Sequence, residues 1–548
     1  MPRLFVFAIG GTGERVLRSL TMVLASGART FDNYEVYPII IDYDQNNEDK
    51  NRTVKLLQNY AKVNRSAFGR HGQGNDRSGQ TDQFFASRLR NMEGLENYVF
   101  PFIPARANEK FREHIGYDNL AGDTIHTGEL LTSIYDESDR ADTELNLDMT
   151  VGFKGNPNIG SVVFHTINET PEFLKFKSLF KPQNGDKVVI IGSLFGGTGA
   201  SGIPEIVKAI DNMHNPQAKV GVIMVLPYFH PMVQIDGAIQ ASRFNSKTKA
   251  AISFYKDSQL MGKIDKTYYV GDPYPTVIPY CEGGRNQRNN ANLVELIAAM
   301  MIEHYVSGRG GNHREFKFSL DANIVVASGE RSGDRLYIKD FDDISKQQIL
   351  NHLVQLAIGL KYFHEDIQTK KAASSVFYSY LELDRALAAP EAVADTTEDP
   401  LRDLCFALDS FYEEYQEWLK ELDFEGNGDS IPANSHRFAL CDMTKDYPDI
   451  MLKGAHKSED GSSQGGFIED IGRGIKKLGV GKGTKLTAGF LLTRMNYHIG
   501  PHYNTDKNQL YANHEPEWVL ADILHTASVD GFMQLTNQKA NNNNNNNN

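Results

Sequence analysis

Cysteine is scarce. The chain has 548 residues and three cysteines, Cys281, Cys405 and Cys441, far apart and without metal-ligand spacing. That argues against a disulfide framework and for a reducing compartment. Long apolar runs are lacking: none approaches the roughly 18 residues of a membrane span. The opening "MPRLFVFAIGGTGERV" breaks at glycine and reads as neither a signal peptide nor a membrane segment. The expectation is a cytoplasmic protein with no transmembrane segment. Positive charge is also in deficit, with 57 Lys and Arg against 70 Asp and Glu, a formal net charge of −13. A direct nucleic-acid partner is therefore not expected.

The charge is unevenly spread. Residues 391–430 hold 13 acidic side chains and 2 basic ones, whereas residues 50–114 hold 12 basic and 6 acidic. Such opposed stretches suit head-to-tail self-association, and equally two solvated surfaces. Apolar content of 40% and charged content of 23% are ordinary for a globular protein, and the length calls for two or three domains. The terminal run of asparagines, 541–548, is low-complexity and reads as a disordered tail.

What the sequence does have is glycine where strands meet helices. "VVIIGSLFGGTGASG" (188–202) ends a hydrophobic run and opens the helical "IPEIVKAIDNM". Bare backbone at such a junction suits an anion, because successive N–H groups form a nest and the helix N-terminus adds positive potential. Gly196, Gly197, Thr198, Gly199, Ala200, Ser201 and Gly202 thus form a candidate phosphate cradle. Thr198 and Ser201 offer hydroxyl donors, and a Cβ at Gly197 or Gly199 is expected to block phosphate with the fold intact. An unliganded tight turn is the alternative.

The pattern recurs. "RLFVFAI" (3–9) reads as a buried strand, "GGTGERVLRSLTMVLASG" as a glycine turn opening a helix, and "YEVYPIIIDYDQNN" as a strand ending in acids. This is the βαβ nucleotide-binding pattern. Residues 50–150 read as helices and loops inserted above the sheet. "GNPNIG" (155–160) is a third loop, "KVGVIMVLPYF" (219–229) and "KTYYVGD" (266–272) are further strands, and "NNANLVELIAAMMIEHYVSG" is a buried helix apolar all round. Beyond 309 the pattern is mixed: "DANIVVASG", "SHRFALCDM" and "TKLTAGFLLTRM" read as strands, and two long segments read as helices. "GVGKGTK" (479–485) lacks phosphate-loop spacing, and "FIEDIGRGIKKLGV" (467–480) reads as a partner helix, a membrane-surface helix or a packed element. The expected organisation is a nucleotide-binding α/β domain (1–285), a central helix (286–308), a second mixed α+β domain (309–450) and a C-terminal region (451–540).

Three glycine loops at strand ends exceed what one dinucleotide needs. As an ordered set over roughly residues 3–308, they resemble the tubulin/FtsZ superfamily, most closely its divergent bacterial tubulin-like branch. The superfamily's G-G-G-T-G-[ST]-G loop stands here as "FGGTGASG", with Phe195 for the first glycine and Ala200 added. "IGGTGERV", "IDYDQN" and "GNPNIG" resemble its other phosphate loops, and "NNANLVELIAAMM" its central helix.

The resemblance implies a Rossmann-type GTPase fold with GTP/GDP and Mg²⁺ as cofactors. Gly10, Gly11, Thr12 and Gly13 would face the inner phosphates. Asp42, Asp44 and Gln45 would approach the metal–phosphate region, with Asp42 and Asp44 reaching Mg²⁺ through water. Gly155, Asn156 and Gly160 would frame the γ-phosphate. Asn245 with Asn290 or Asn292 would read guanine, and Asp236 or Arg243 would reach ribose or phosphate. It also implies a head-to-tail homopolymer whose active site is completed by a neighbouring subunit's acids, with an adaptor or effector protein as a further partner. No clear match to the family's acidic loop follows the central helix. Asp321, Asp340, Asp342 and Asp343 are the candidates for the catalytic acid. A GTP-binding scaffold or switch that does not hydrolyse, and a dinucleotide-dependent Rossmann enzyme, stay open as alternatives.

Overall fold

The computed structural model describes residues 1–44, 46–68, 83–101, 109–123, 127, 129–130, 133, 144–149, 153, 155–232, 241–281, 283–318, 334–338, 341–388, 399–427, 432–441, 443, 486–503 and 515–536. At its centre is a seven-stranded sheet, parallel throughout. In chain order the strands are β1 (Arg3–Ile9), β2 (Glu35–Ile41), β3 (Arg88–Leu89), β4 (Lys187–Ser193), β5 (Lys219–Val225), β6 (Lys266–Val270) and β7 (Glu315–Lys317). Their spatial order is β3-β2-β1-β4-β5-β6-β7. This is the doubly wound α/β order with one strand added, so the chain reverses direction across the sheet between β1 and β4.

Why these segments form a buried parallel sheet follows from their side chains. β1 is apolar at every position after Arg3, as a strand covered on both faces must be. Successive residues point to opposite faces. Leu4, Val6 and Ala8 accordingly join one core, while Phe5, Phe7 and Ile9 join the other. The second core is closed by α3 (Pro157–Phe164), α4 (Pro171–Leu179), α5 (Gly197–Asp211) and α6 (Phe244–Asp257). The first is closed by α1 (Gly10–Ala25), α2 (Glu48–Phe68) and α7 (Leu293–Val306).

The first core continues outward. Helices α8 (Asn351–Tyr362), α9 (Pro400–Leu422), α10 (Ala488–Tyr503) and α11 (Pro516–Thr536) contribute to the same cluster as α1, α2 and α7. Described residues between 336 and 532 therefore share one core with the sheet. The region from 50 onward, expected above the sheet, is also built in: α2 covers the same face as α1 and α7, and β3 extends the sheet edge.

Opposed charges meet inside the chain. Arg52 Nη2 of α2 lies 2.5 Å from Glu421 Oε1 of α9, and Lys55 Nζ lies 2.7 Å from Glu414 Oε1. Glu421 also accepts from Arg18 Nη1 at 2.7 Å and from the Ala291 backbone N–H at 3.0 Å. Burial raises its carboxyl pKa, but Arg18 and Arg52 outweigh burial and hold it below the ordinary value. Two basic side chains of α2 thus meet acidic side chains of α9 within one chain.

Of segment 484–495, expected as a strand, residues 488–495 lie in α10. Leu491, Met495 and Ile499 are its buried residues at four-residue spacing, and a short apolar run does not separate strand from helix by periodicity alone. The strand expected in "SHRFALCDM" is found at His436–Ala439, paired in parallel with Asp334–Tyr337. The segments 321–329 and 467–485 lie outside the described residues. Among the described residues, no helix is long and apolar enough to cross a membrane.

Candidate functional site at the carboxyl ends of β1 and β4

β1 and β4 are neighbours in register, with Ile9 opposite Gly192. Each runs directly into a helix through the same tetrapeptide, Gly-Gly-Thr-Gly, at 10–13 and at 196–199. The two tetrapeptides touch. Gly10 has φ +66°, a left-handed conformation that favours glycine, and a Cβ there would stand 3.1 Å from Thr198 Cβ. Loop 155–160 closes the third side, since a Cβ on Gly197 would stand 3.0 Å from the Asn156 backbone nitrogen and 3.2 Å from that of Gly155. The N-termini of α1 and α5 thereby converge at the switch point of an open α/β sheet, where ligands of this architecture bind.

Between them is a cavity of about 150 Å³, lined by Gly10, Gly11, Thr12, Arg15, Gly155, Ser193, Gly196, Gly197, Thr198 and Gly199, and walled by Phe195, Phe229 and Phe244. A second cavity, of about 100 Å³, adjoins it and shares Arg15, Phe229 and Asn289; Asn290, Asn292 and Glu295 belong to this second part. Among the described residues, no carboxylate lines the first cavity.

Arg15 stands at the join. It leaves the second turn of α1, is 4% exposed, and is held from three sides. Its Nε donates to Glu295 Oε1 at 2.7 Å, Nη1 to Asp49 Oδ2 at 3.2 Å and Nη2 to the Tyr228 hydroxyl at 2.5 Å. Its guanidinium lies 5.3 Å from the Phe229 ring centroid. Burial pulls its pKa down, but Tyr228, Glu295 and Asp49 together hold it above the ordinary value. The result is a fixed cation beside an apolar wall and a ring of backbone amides, an arrangement suited to a phosphorylated ligand.

Beneath the first junction lies a buried acidic pair. Burial, reinforced by Asp42, pushes the Glu14 carboxyl well above the usual carboxylate range, with Lys50 opposing. Burial likewise raises Asp42. Glu14 Oε2 accepts from Asn47 Nδ2 at 3.2 Å, and its other oxygen is buried without a partner. Asp42 accepts from the Asp44 amide and from Asn47 Nδ2, both at 3.2 Å. Asp44 accepts from the Asn46 amide at 3.0 Å and the Gly284 amide at 2.6 Å. Among the described residues, no cluster of three acidic, histidine or cysteine side chains is placed to hold a metal. Asp42 and Asp44 line neither cavity, so a metal held there could meet these carboxylates only through water, the mode in which Mg²⁺ commonly meets protein.

The sequence candidates divide by place. Gly10, Gly11, Thr12, Gly155, Gly196, Gly197, Thr198 and Gly199 line the first cavity. Gly13 and Gly199 hold helix against strand: a Cβ would meet the backbone of Ala8 at 2.7 Å and of Ser193 at 2.6 Å respectively. Ser201 turns away, donating to Gly197 O at 2.7 Å and facing Gly160 of α3, where a Cβ would stand 2.1 Å from its Oγ. The Ala200 carbonyl accepts from the Tyr255 hydroxyl at 2.8 Å, and Gly202 packs beneath Ile9. Asn156 is the N-cap residue of α3.

Asn292 caps α7: its side chain accepts from the Val294 amide at 2.9 Å and donates to Thr276 Oγ1 at 3.2 Å. Both ends of that amide are engaged, while Asn290 lines the second cavity. Asn245 is exposed on α6 and lines a separate groove of about 970 Å³. Arg243 is exposed just before α6; Lys247, one turn on, is the side chain that reaches the third loop, donating to Gly155 O at 2.5 Å.

Asp343 is exposed and pairs with Lys346. Asp342 caps a short turn through Ser345 at 2.9 Å and interacts with Arg309, just past the end of α7 remote from the cleft. Gln45, Asp236, Asp321 and Asp340 lie outside the described residues.

Sequence reasoning missed Arg15, Phe229, Gln287, Asn289 and Cys281, all at the cleft. Only Arg15, a charged residue two positions after a glycine loop, carried a readable signal. Set against protein-family models and against curated proteins, the sequence matches none.

Proposed function

We propose that the chain is a tubulin/FtsZ-like nucleotide-binding protein that holds GTP in the cleft between β1 and β4 and hydrolyses it during head-to-tail assembly. The observation that carries this reading is the contact between the two Gly-Gly-Thr-Gly junctions, closed by Gly155 and flanked by Arg15. In this reading the amides of 10–12 and 196–199 bind the phosphates, Arg15 supplies the fixed charge, and Asn289 and Asn290 meet the base in the adjoining cavity. Asp42 and Asp44 would hold hydrated Mg²⁺, which supplies charge neutralisation at the phosphates.

The carboxylate-free cavity lining favours a second form of the reading, a GTP-bound switch or scaffold that hydrolyses slowly or not at all. A neighbouring copy would have to bring the acid. Asp342 and Asp343, toward the end of α7 remote from this cleft, would be the acids that it brings.

Nucleotide released by denaturing the purified chain, identified by mass, tests the ligand. GTP or GDP is expected; a dinucleotide, or no nucleotide together with no GTP binding, would overturn the reading. Cys281 gives an independent reporter because it lines the cleft. Its alkylation should slow when GTP is added. Sedimentation and turnover measured against protein concentration separate the two forms, since a trans-completed site gives a specific rate that rises with concentration.

A further inference from the structure

The opposite edge of the sheet carries a feature that the nucleotide reading does not use. Lys187, Lys219 and Lys266 are the first residues of β4, β5 and β6. Lys187 and Lys219 are register partners. Like charges directly opposite on neighbouring strands destabilise a sheet, so the fold gains nothing from this pair. The three lysines border a cavity of about 390 Å³, closed by Tyr305 of α7 and by Gly308, Gly311, Asn312, His313 and Arg314. Asp265 is the one carboxylate in that lining.

Three of the cations are held by backbone carbonyls, and among the described residues none of the four forms an ion pair. Lys187 Nζ donates to Val306 O at 2.7 Å, Lys266 Nζ to Arg309 O at 2.6 Å, and Arg314 Nη2 to Gly262 O at 3.2 Å. Lys219 is exposed. Burial pulls the Lys187 pKa below its ordinary value, and Lys219 and Lys266 pull it further, against Asp265.

A second observation points the same way. Tyr305 is 2% exposed, and its hydroxyl is buried without a hydrogen-bond partner. Burial raises its pKa well above the ordinary value, so the phenol keeps its proton and can donate it. A buried hydroxyl is rarely left without a partner, and such an orphan calls for an explanation.

We infer that this cavity is an anion site for a phosphate-bearing small molecule. Lys187 and Lys219 flank the phosphate, Lys266 and Arg314 add field, and the Tyr305 hydroxyl donates to a phosphate oxygen. The cavity falls within the roughly 300–1,000 Å³ range of small-molecule sites, which suits a sugar phosphate or a nucleotide better than orthophosphate alone. It lies at the far end of β4 from the glycine cleft, about 20 Å away for a seven-residue strand. The inference does not rest on the nucleotide reading.

Tripolyphosphate titrated calorimetrically into the full chain tests it. The double variant Lys187→Met/Lys219→Met should lose this binding, and Tyr305→Phe should weaken it about tenfold, the effect of one hydrogen bond to a charged group. Lys219→Met and Tyr305→Phe should not lower the melting temperature without ligand, since one relieves repulsion and the other removes an orphan hydroxyl, whereas Lys187→Met also gives up the bond to Val306 O. Should the double variant fail to fold, Tyr305→Phe and the exposed Lys219→Met carry the test. Unchanged affinity in these variants, no binding to the unaltered chain at millimolar concentration, or binding abolished by Gly10→Val alone would each overturn the site.

Discussion

The two Gly-Gly-Thr-Gly junctions are the same in sequence and different in what they carry. In both, the last glycine lets the helix lie against the backbone of its own strand, Gly13 on Ala8 and Gly199 on Ser193. The next residues separate them. The first junction continues into Glu14 and Arg15, two buried ionisable side chains tied to Asn47 and to Asp49 and Glu295. The second continues into Ala200 and Ser201, which make only local and helix-packing contacts. One junction is the electrostatic half of the cleft and the other its close-packed half. A repeated motif therefore reports a repeated backbone shape, while the residues just beyond it assign the chemistry.

The largest break in this comparison is expected from Arg15→Ala. It leaves Glu295 and Asp49 buried without their cation, which costs about 3–5 kcal/mol, whereas Ser201→Ala should cost about 1 kcal/mol or less. Denaturant unfolding measures both, and equal losses would erase the asymmetry. Gly13→Val and Gly199→Val come next. Each drives a side chain into strand backbone, for about 1–3 kcal/mol or more, and the two should match because this role is shared. This corrects the expectation that a Cβ at Gly199 would block phosphate while leaving the fold intact. Gly197→Val would press on loop 155–160 as well as on any ligand.

Gly10→Ala should cost about 1–2 kcal/mol for its positive φ, and more than Gly196→Ala, whose φ is −90°. Thermal unfolding of the pair decides this. Glu14→Gln is the smallest and depends on pH. A carboxyl whose pKa is raised on folding contributes stability at low pH that fades as pH rises from its unfolded value of about 4.3 through its folded value. The Gln variant should therefore match the parent near pH 4 and exceed it progressively toward pH 8. A gap that widens on acidification instead would show that Glu14 is ionised in the folded chain.

How much of this was legible follows from residue type. β1, β2, β4, β5 and β6 announce themselves as apolar runs ended by glycine, acids or, after β5, proline, and the parallel order follows from helices lying between them. The central helix, expected at 286–308, is found at Leu293–Val306, its start fixed by the Asn292 cap. The cleft glycines were legible because bare backbone is conspicuous. Arg15, Phe229 and Asn289 were not, since their roles come from elements brought together across more than 200 residues. The pairing of α2 with α9 was half legible. Composition showed opposed charge, but nothing in the sequence said that one chain would satisfy it, through Arg52, Lys55, Glu414 and Glu421, rather than a second copy.

That pairing has a consequence for how the chain is made. Arg52 and its partner Glu421 are 369 residues apart. At synthesis rates of about 5–20 residues per second, the α1–α2 face waits tens of seconds before α9 exists to cover it, and longer before Pro516–Thr536 closes over α8. Throughout that interval Leu56, Tyr60 and the buried arginines of the N-terminal half stand open to water. The N-terminal half therefore cannot complete its own core until the C-terminal helices have been made.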